Sequence, residues 1–123
     1  MSKPVVYACS GCSNVARIAH DIALNLDSDG LAEMSCVSGV AANVDEMKTT
    51  ATSAYQTIAI DGCELSCTKL CLDNASVNVD HYFVVTDMGI EKRDKWQDSI
   101  IDNSKALNFI YKSLKEKGIE FNV

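Results

Sequence analysis

Gln56-Thr57-Ile58-Ala59-Ile60-Asp61-Gly62-Cys63 is the stretch that decides the architecture. Five residues, rich in β-branched side chains and cut off by Asp-Gly, are too few for a helix and read as a strand. Its apolar run is continuous rather than alternating. A strand of that kind is covered on both faces, as in a parallel sheet. A thiol, Cys63, follows immediately after the strand stops.

The same grammar repeats on either side. Upstream, Pro4-Val5-Val6-Tyr7-Ala8 is a first strand. Val15, Ile18, Ala19, Ile22 and Leu26 then recur at helical spacing, with Ser13 or Asn14 as the N-cap and Asp27-Ser28-Asp29-Gly30 as the stop. Leu31 to Val37 predicts a second strand, and about Asn43 to Ser53 a second helix. Downstream, Leu65, Leu70 and Leu72 predict a third helix of roughly three turns. Tyr82-Phe83-Val84-Val85 is a fourth strand. The last helix runs from about Asp98 to Lys117, closed by Gly118 in the C′ position. Ile119-Glu120-Phe121 is the candidate for a fifth strand.

Strands alternating with helices predict an α/β fold: an open, mostly parallel, Rossmann/flavodoxin-like sheet in the order 2-1-3-4, with helices on both faces. The 123 residues carry no repeat, low-complexity tract or linker, so residues 1–123 read as a single domain.

Composition narrows the function. Lys and Arg number 11 against 17 Asp and Glu, a net charge of −6. Residues 1–80 hold 4 basic and 10 acidic groups, and residues 81–123 hold 7 of each. Nucleic acid and anionic lipid both require surplus positive charge, so neither is an expected partner. A metal cation is. No apolar run approaches the ~20 residues of a membrane span. The amino-terminal residues lack the long apolar region and cleavage site of a secretory leader. The expectation is a cytoplasmic protein, whose six cysteines stay reduced and serve metal or redox chemistry rather than a disulfide framework.

Five of those cysteines fall at strand ends. Cys9 and Cys12 form Cys-Ser-Gly-Cys after the first strand, Cys36 ends the second, and Cys63 and Cys67 follow the third. In a parallel sheet these ends share one edge, where ligands bind at the switch in strand order. Zinc takes four soft ligands tetrahedrally, and two cysteine pairs at equivalent places in a βα repeat supply four. Iron–sulfur clusters use the same ligand type and are the less favoured cofactor. Both loops lead into helix N-termini, whose partial positive charge favours thiolate. Cys71 is eight residues beyond Cys63, about 12 Å along a continuous helix, and reads as packing. Cys36 divides evenly between core filler and an additional ligand or functional thiol. Asp61 reads as a turn residue capping the helix, in preference to a general base or an acceptor that orients a ligand from behind.

Tyr7-Ala8-Cys9-Ser10-Gly11-Cys12-Ser13-Asn14, Ile60-Asp61-Gly62-Cys63 and Cys67-Thr68-Lys69 resemble the DGC-domain family, named for its Asp-Gly-Cys triplet. Met34-Ser35-Cys36 and Thr86-Asp87-Met88-Gly89-Ile90-Glu91-Lys92 are similar to family segments as well. The resemblance implies a small α/β protein with no assigned reaction and with cysteines that bind zinc. Carried over by position, the implied ligands are Cys9, Cys12, Cys63 and Cys67, with Cys36 a further motif cysteine. The chain has Ala16-Arg17 where Gly-Gln is expected, and Glu64 where Pro is common.

Other constellations are weaker. Cys12 and Arg17 resemble the phosphate loop of low-molecular-weight tyrosine phosphatases, but four residues intervene where that loop has five. No histidine lies near the cysteines in sequence, so a Cys-His dyad lacks its base. Glu91-Lys92-Arg93-Asp94-Lys95 reads as a solvated charge run. The rival to metal binding is thiol redox chemistry, with Cys9 or Cys12 attacking and Cys36 or Cys63 resolving.

Overall fold

The computed structural model describes residues 3–97 and 99–119. Four strands, β1 (Val5–Ala8), β2 (Glu33–Met34), β3 (Thr57–Asp61) and β4 (His81–Val84), form one sheet in the order β2-β1-β3-β4. Every pairing is parallel, with Val6 opposite Ile58 and Ala59 opposite Tyr82. The helices are α1 (Asn14–Ser28), α2 (Val37–Ala41), α3 (Asp45–Thr52), α4 (Cys67–Asn74) and α5 (Ile100–Glu116). This is the α/β fold that the strand pattern predicts.

Period two along β1 and β3 divides the core between the two faces. Val6, Ala8, Ile58 and Ile60 point to the face covered by α1 and α5, where Ile18, Ile22, Leu26, Ile110 and Leu114 are buried. Val5, Tyr7 and Ala59 point to the other, against Val40, Ala51 and Leu72 from α2, α3 and α4. Truncating a side chain such as Ile60, fully buried between strand and helix, costs about 2–5 kcal/mol.

Several elements differ from expectation. β2 spans two residues rather than seven, because it is an edge strand and Cys36 already opens α2. The residues after Val37 coil into that short helix, which the sequence pattern does not predict. α4 begins at Cys67, so Leu65 precedes it and is exposed, as is Leu70, and Leu72 alone of the three is buried. Val85 leaves β4 for a 3₁₀ turn, Val85–Met88. α1 begins where expected, with the Ser13 hydroxyl accepting from the Ala16 N–H at 3.2 Å. Ser99 caps α5 in the same way through Asp102 N–H, and Asp98, the expected start, lies outside the described residues. So do Glu120 and Phe121 of the candidate fifth strand. Among the described residues no helix is long and apolar enough to cross a membrane.

Candidate metal and thiol site

The carboxyl ends of β1 and β3 are neighbours, and the chain order reverses between them. Ala8 stands opposite Ile60, and the Cys9 N–H donates to the Ile60 carbonyl at 3.0 Å. The ladder thus runs on to Cys9 and stops there. β3 continues through Asp61 and Gly62 to Cys63. All six cysteines are free thiols.

The Asp-Gly-Cys triplet has a separate physical task at each position. Ser66, just before α4, sits at φ 55° and ψ 40° in the left-handed region and makes no side-chain cap. The orphan N–H groups of the helix are taken instead by Asp61. Its carboxylate accepts from Thr68 N–H at 2.9 Å and Lys69 N–H at 3.1 Å. The Tyr82 hydroxyl donates to the same carboxylate at 2.9 Å and lies 2.9 Å from Ser66 Oγ. Asp61 is therefore a helix cap reaching over from the strand end, which also fixes the start of α4 at Cys67. Gly62 is required by close approach. A Cβ there would stand 2.7 Å from the Ala16 nitrogen and 2.8 Å from the Val15 carbonyl carbon. The first turn of α1 packs directly on the strand end, and this brings the Cys9–Cys12 loop beside Cys63.

The thiols fall into two groups. Cys9, Cys67 and Cys71 line one hollow of about 570 Å³ between the β1 edge, α2 and α4, with Ser10, Ser38 and Thr68. Cys63, which packs with Cys9 against the core under α1, accepts from the Lys92 ammonium at 3.4 Å. That hydrogen bond, the Cys63 charge and, more weakly, Glu64 and Cys12 hold the lysine pKa above its ordinary value, with desolvation opposing them. Cys36 is apart from both groups. It lines a second hollow of about 570 Å³ with Glu33, Met34, Glu46 and Met47, which meets the first at Ser10, Val37 and Ser38.

Cys67 connects the groups. Its thiol pKa is raised, first by desolvation and then by the charges of Cys9, Asp61, Cys63 and Cys71. A helix N-terminus predicts the opposite. At Cys67 the negative neighbours and partial burial of the sulfur outweigh the helix end, although the residue as a whole is exposed.

Lys92 reaches Cys63 because its loop is tied to α1. Asn14, buried at the start of that helix, donates through Nδ2 to the Glu91 carbonyl at 2.9 Å and accepts from Arg93 N–H through Oδ1. Ser13 bridges Asp94, and the Arg17 guanidinium donates to the Lys95 carbonyl at 2.9 Å. Arg17 thus holds a loop instead of an anion. The charge-run reading of residues 91–95 misses all of this. The one available signal was the likeness of Thr86–Lys92 to a family segment.

Zinc is implied by the resemblance, and the donor set fits it in chemistry: unoxidised soft sulfurs on one edge of the fold. Among the described residues, however, no three His, Cys, Asp or Glu side chains stand close enough together to hold a metal ion. Cys9, Cys12, Cys67 and Cys71 are partly or fully exposed, so their side chains have room to change rotamer.

The match to a family model decides the relationship. Residues 5–107 match the model of the DGC domain. The chain belongs to the DGC-domain family. A curated relative in Pseudomonas aeruginosa strain PAO1, the anaerobic and virulence modulator AnvM, is 47% identical over 90 residues. That alignment spans 73% of this chain and 69% of AnvM. No solved structure matches this DGC-domain chain.

Proposed function

We propose that this DGC-domain protein is a cytoplasmic zinc-binding thiol protein whose ion is held at the carboxyl edge of the sheet by thiolates gathered around Cys67. The observation that carries the reading is the position of Cys67, which lines one hollow with Cys9 and Cys71 at the carboxyl edge where β3 ends in Cys63. Zinc is the preferred ion because it suits a wholly thiolate donor set and does not depend on redox state. The resemblance adds Cys12 to Cys9, Cys63 and Cys67. Cys36, which lines the second hollow, stands outside this ligand set. Asp61 acts from behind the site by fixing the start of α4. The AnvM name points to regulation of anaerobic physiology as the biological setting, and no reaction is assigned.

Metal analysis of reduced, anaerobically purified protein tests the reading. About one zinc per chain is expected for a single site. Protein that emerges metal-free and takes up zinc only weakly in titration overturns it. A coloured protein with iron and sulfide would replace zinc by an iron–sulfur cluster.

One observation favours a second reading. The Lys92 ammonium stands 3.4 Å from Cys63 Sγ, and a cation beside an edge sulfur suits disulfide exchange between edge cysteines. Alkylation rates of the metal-free protein discriminate. This second reading needs at least one cysteine to react faster at neutral pH than a free thiol does.

A further inference from the structure

The three most open large apolar side chains among the described residues fall within six positions of the chain. Ile100 is 85% exposed, and Trp96 and Ile101 are each 79% exposed. The next, Leu65, is 60% exposed and stands elsewhere, before the start of α4. A single exposed apolar residue needs no explanation, whereas a cluster that includes tryptophan marks an interaction surface.

The cluster is held in shape. Arg93 Nη1 lies 3.3 Å from Asp102 Oδ2, which ties the start of the loop to the first turn of α5. The Trp96 N–H donates to Asp94 Oδ1 at 3.1 Å, and the Gln97 N–H donates to the Asp94 carbonyl at 2.9 Å. Ser13 and Arg17 fasten the same loop to α1. The Lys95 ammonium stands 5.8 Å from the centre of the Trp96 ring. A surface fixed in this way loses little entropy when a partner docks.

Residues 120–123 do not reach it. They follow the far end of α5, whose 17 residues span about 25 Å, and four residues reach about 14 Å at most. Charge then selects the occupant. The net charge of −6 falls wholly in residues 1–80, while residues 81–123 hold 7 basic and 7 acidic groups. Two copies therefore repel each other least through this half. Near the cluster both signs are present in equal number, Glu91, Asp94 and Asp102 against Lys92, Arg93 and Lys95. A strongly acidic or strongly basic partner finds no net attraction in such a set. A second copy does, because a two-fold interface sets one patch against the same patch reversed, cation to anion.

We infer that Trp96, Ile100 and Ile101 form a self-association surface, on which a second copy of this chain docks about a two-fold axis. Trp96 is the anchor. It supplies about 150–250 Å² of the ~800 Å² per partner that a standard interface buries, and the two isoleucines and the charged rim supply the rest. The same loop carries Lys92 to Cys63, so the pairing surface and the thiol edge share one element. The inference is independent of the metal reading.

The test is sedimentation equilibrium of the reduced full chain from micromolar to millimolar concentration, as purified and again after chelation. Reductant removes disulfide-linked dimers, and the chelator removes metal-bridged ones. Trp96 is the single tryptophan, so its fluorescence reports on the patch itself. The expected result is a reversible species of twice the monomer mass. Over the same concentration range the Trp96 emission should move to shorter wavelength and resist quenching by acrylamide. Trp96→Ala and Ile101→Glu should each raise the dissociation constant at least about tenfold, as the loss of a central interface residue does. Both positions are exposed, and an acid in the first turn of a helix is favourable, so the variants should fold. Far-UV circular dichroism checks this. Leu65→Asp, a polar change at an exposed site away from the patch, should pair as the parent does.

A parent that stays monomeric to millimolar concentration overturns the inference and leaves the patch to a different protein. So does a dimer that dissociates on chelation, one whose Trp96 emission stays at the solvent-exposed position, or one that survives both patch substitutions.

Discussion

The Tyr82 hydroxyl on β4 donates at 2.9 Å to the Asp61 carboxylate at the end of β3, and that carboxylate caps α4 through two backbone N–H groups. One charged side chain thus satisfies three donors and sets where Cys67 lies. Asp61→Asn replaces an acceptor-only group by an amide whose NH₂ must face a donor. The expected loss is about 1–3 kcal/mol, read from the denaturation midpoint, since hydrogen bonds to charge and helix caps are of that size. An unchanged midpoint would show that the cap contributes nothing.

The same contact gives Tyr82 an alkaline signature. Burial is the main cause that pushes its pKa up to about 12, with the Asp61 bond and charge adding to it and the Ser66 hydrogen bond opposing it. The unfolded chain releases this proton near pH 10. Between those values the folded state binds more protons than the unfolded one, so stability from this group falls as pH rises. Below about pH 10 the contribution is fully present. The stability difference between the parent and Tyr82→Phe should therefore be constant to about pH 10 and shrink toward pH 12. Denaturant titrations at several alkaline pH values measure it.

Gly62→Ala should be costly for steric reasons alone. The added methyl meets the backbone of Val15 and Ala16 at 2.7–2.8 Å, and backbone cannot rotate away. Overpacking of this kind costs about 1–3 kcal/mol, so the melting temperature should fall clearly. Because the methyl pushes α1 off the strand end, the distance between the Cys9–Cys12 loop and Cys63 should change as well. A variant as stable as the parent would mean that α1 does not press on the strand end.

Parallel strands could be read from sequence because burial on both faces leaves a continuous apolar run, as in Ile58-Ala59-Ile60. The edge strand could not, because Glu33 and Met34 lack that burial and its two-residue length depends on where α2 begins. The shared edge of Cys9 and Cys63 was legible once the order 2-1-3-4 was assumed. Which thiols face which side was not. That depends on a left-handed Ser66, for which sequence carries no steric rule of the kind that marks glycine, and on Asn14 reaching a loop 77 residues away. Lys92 stayed hidden for the same reason. Its role comes from how its loop is tied down, and among alternating charges its own chemistry looks ordinary.

Metal removal is predicted to leave the fold standing. The sheet buries Val6, Ile58 and Ile60 on one face and Tyr7 and Ala59 on the other, none of which needs the edge thiols. Chelation of the reduced protein should preserve far-UV helical signal and a cooperative thermal transition. Only a modest decrease in midpoint is expected, equal to the linkage energy of the lost ion. A small domain built on its metal would instead unfold outright on chelation.

Asn14→Ala tests how Lys92 is held. Asn14 is 1% exposed and makes two side-chain hydrogen bonds to the backbone of residues 91 and 93. Its partners belong to exposed residues, so water can replace it, and the cost should stay near 1–2 kcal/mol. The local effect should be larger than the global one. The Arg93 amide, now protected by Asn14 Oδ1, should exchange with deuterium faster in the variant, while amides of β3 keep their parent rates. Asn14→Asp should be worse than alanine, because it sets a carboxylate against the Glu91 carbonyl where the amide donated. With the loop released, the Lys92 ammonium loses its fixed distance to Cys63. Alkylation of Cys63 in the metal-free protein should then slow relative to that of Cys36, whose surroundings the substitution does not touch. An unchanged ratio would show that Lys92 reaches Cys63 without the loop being held.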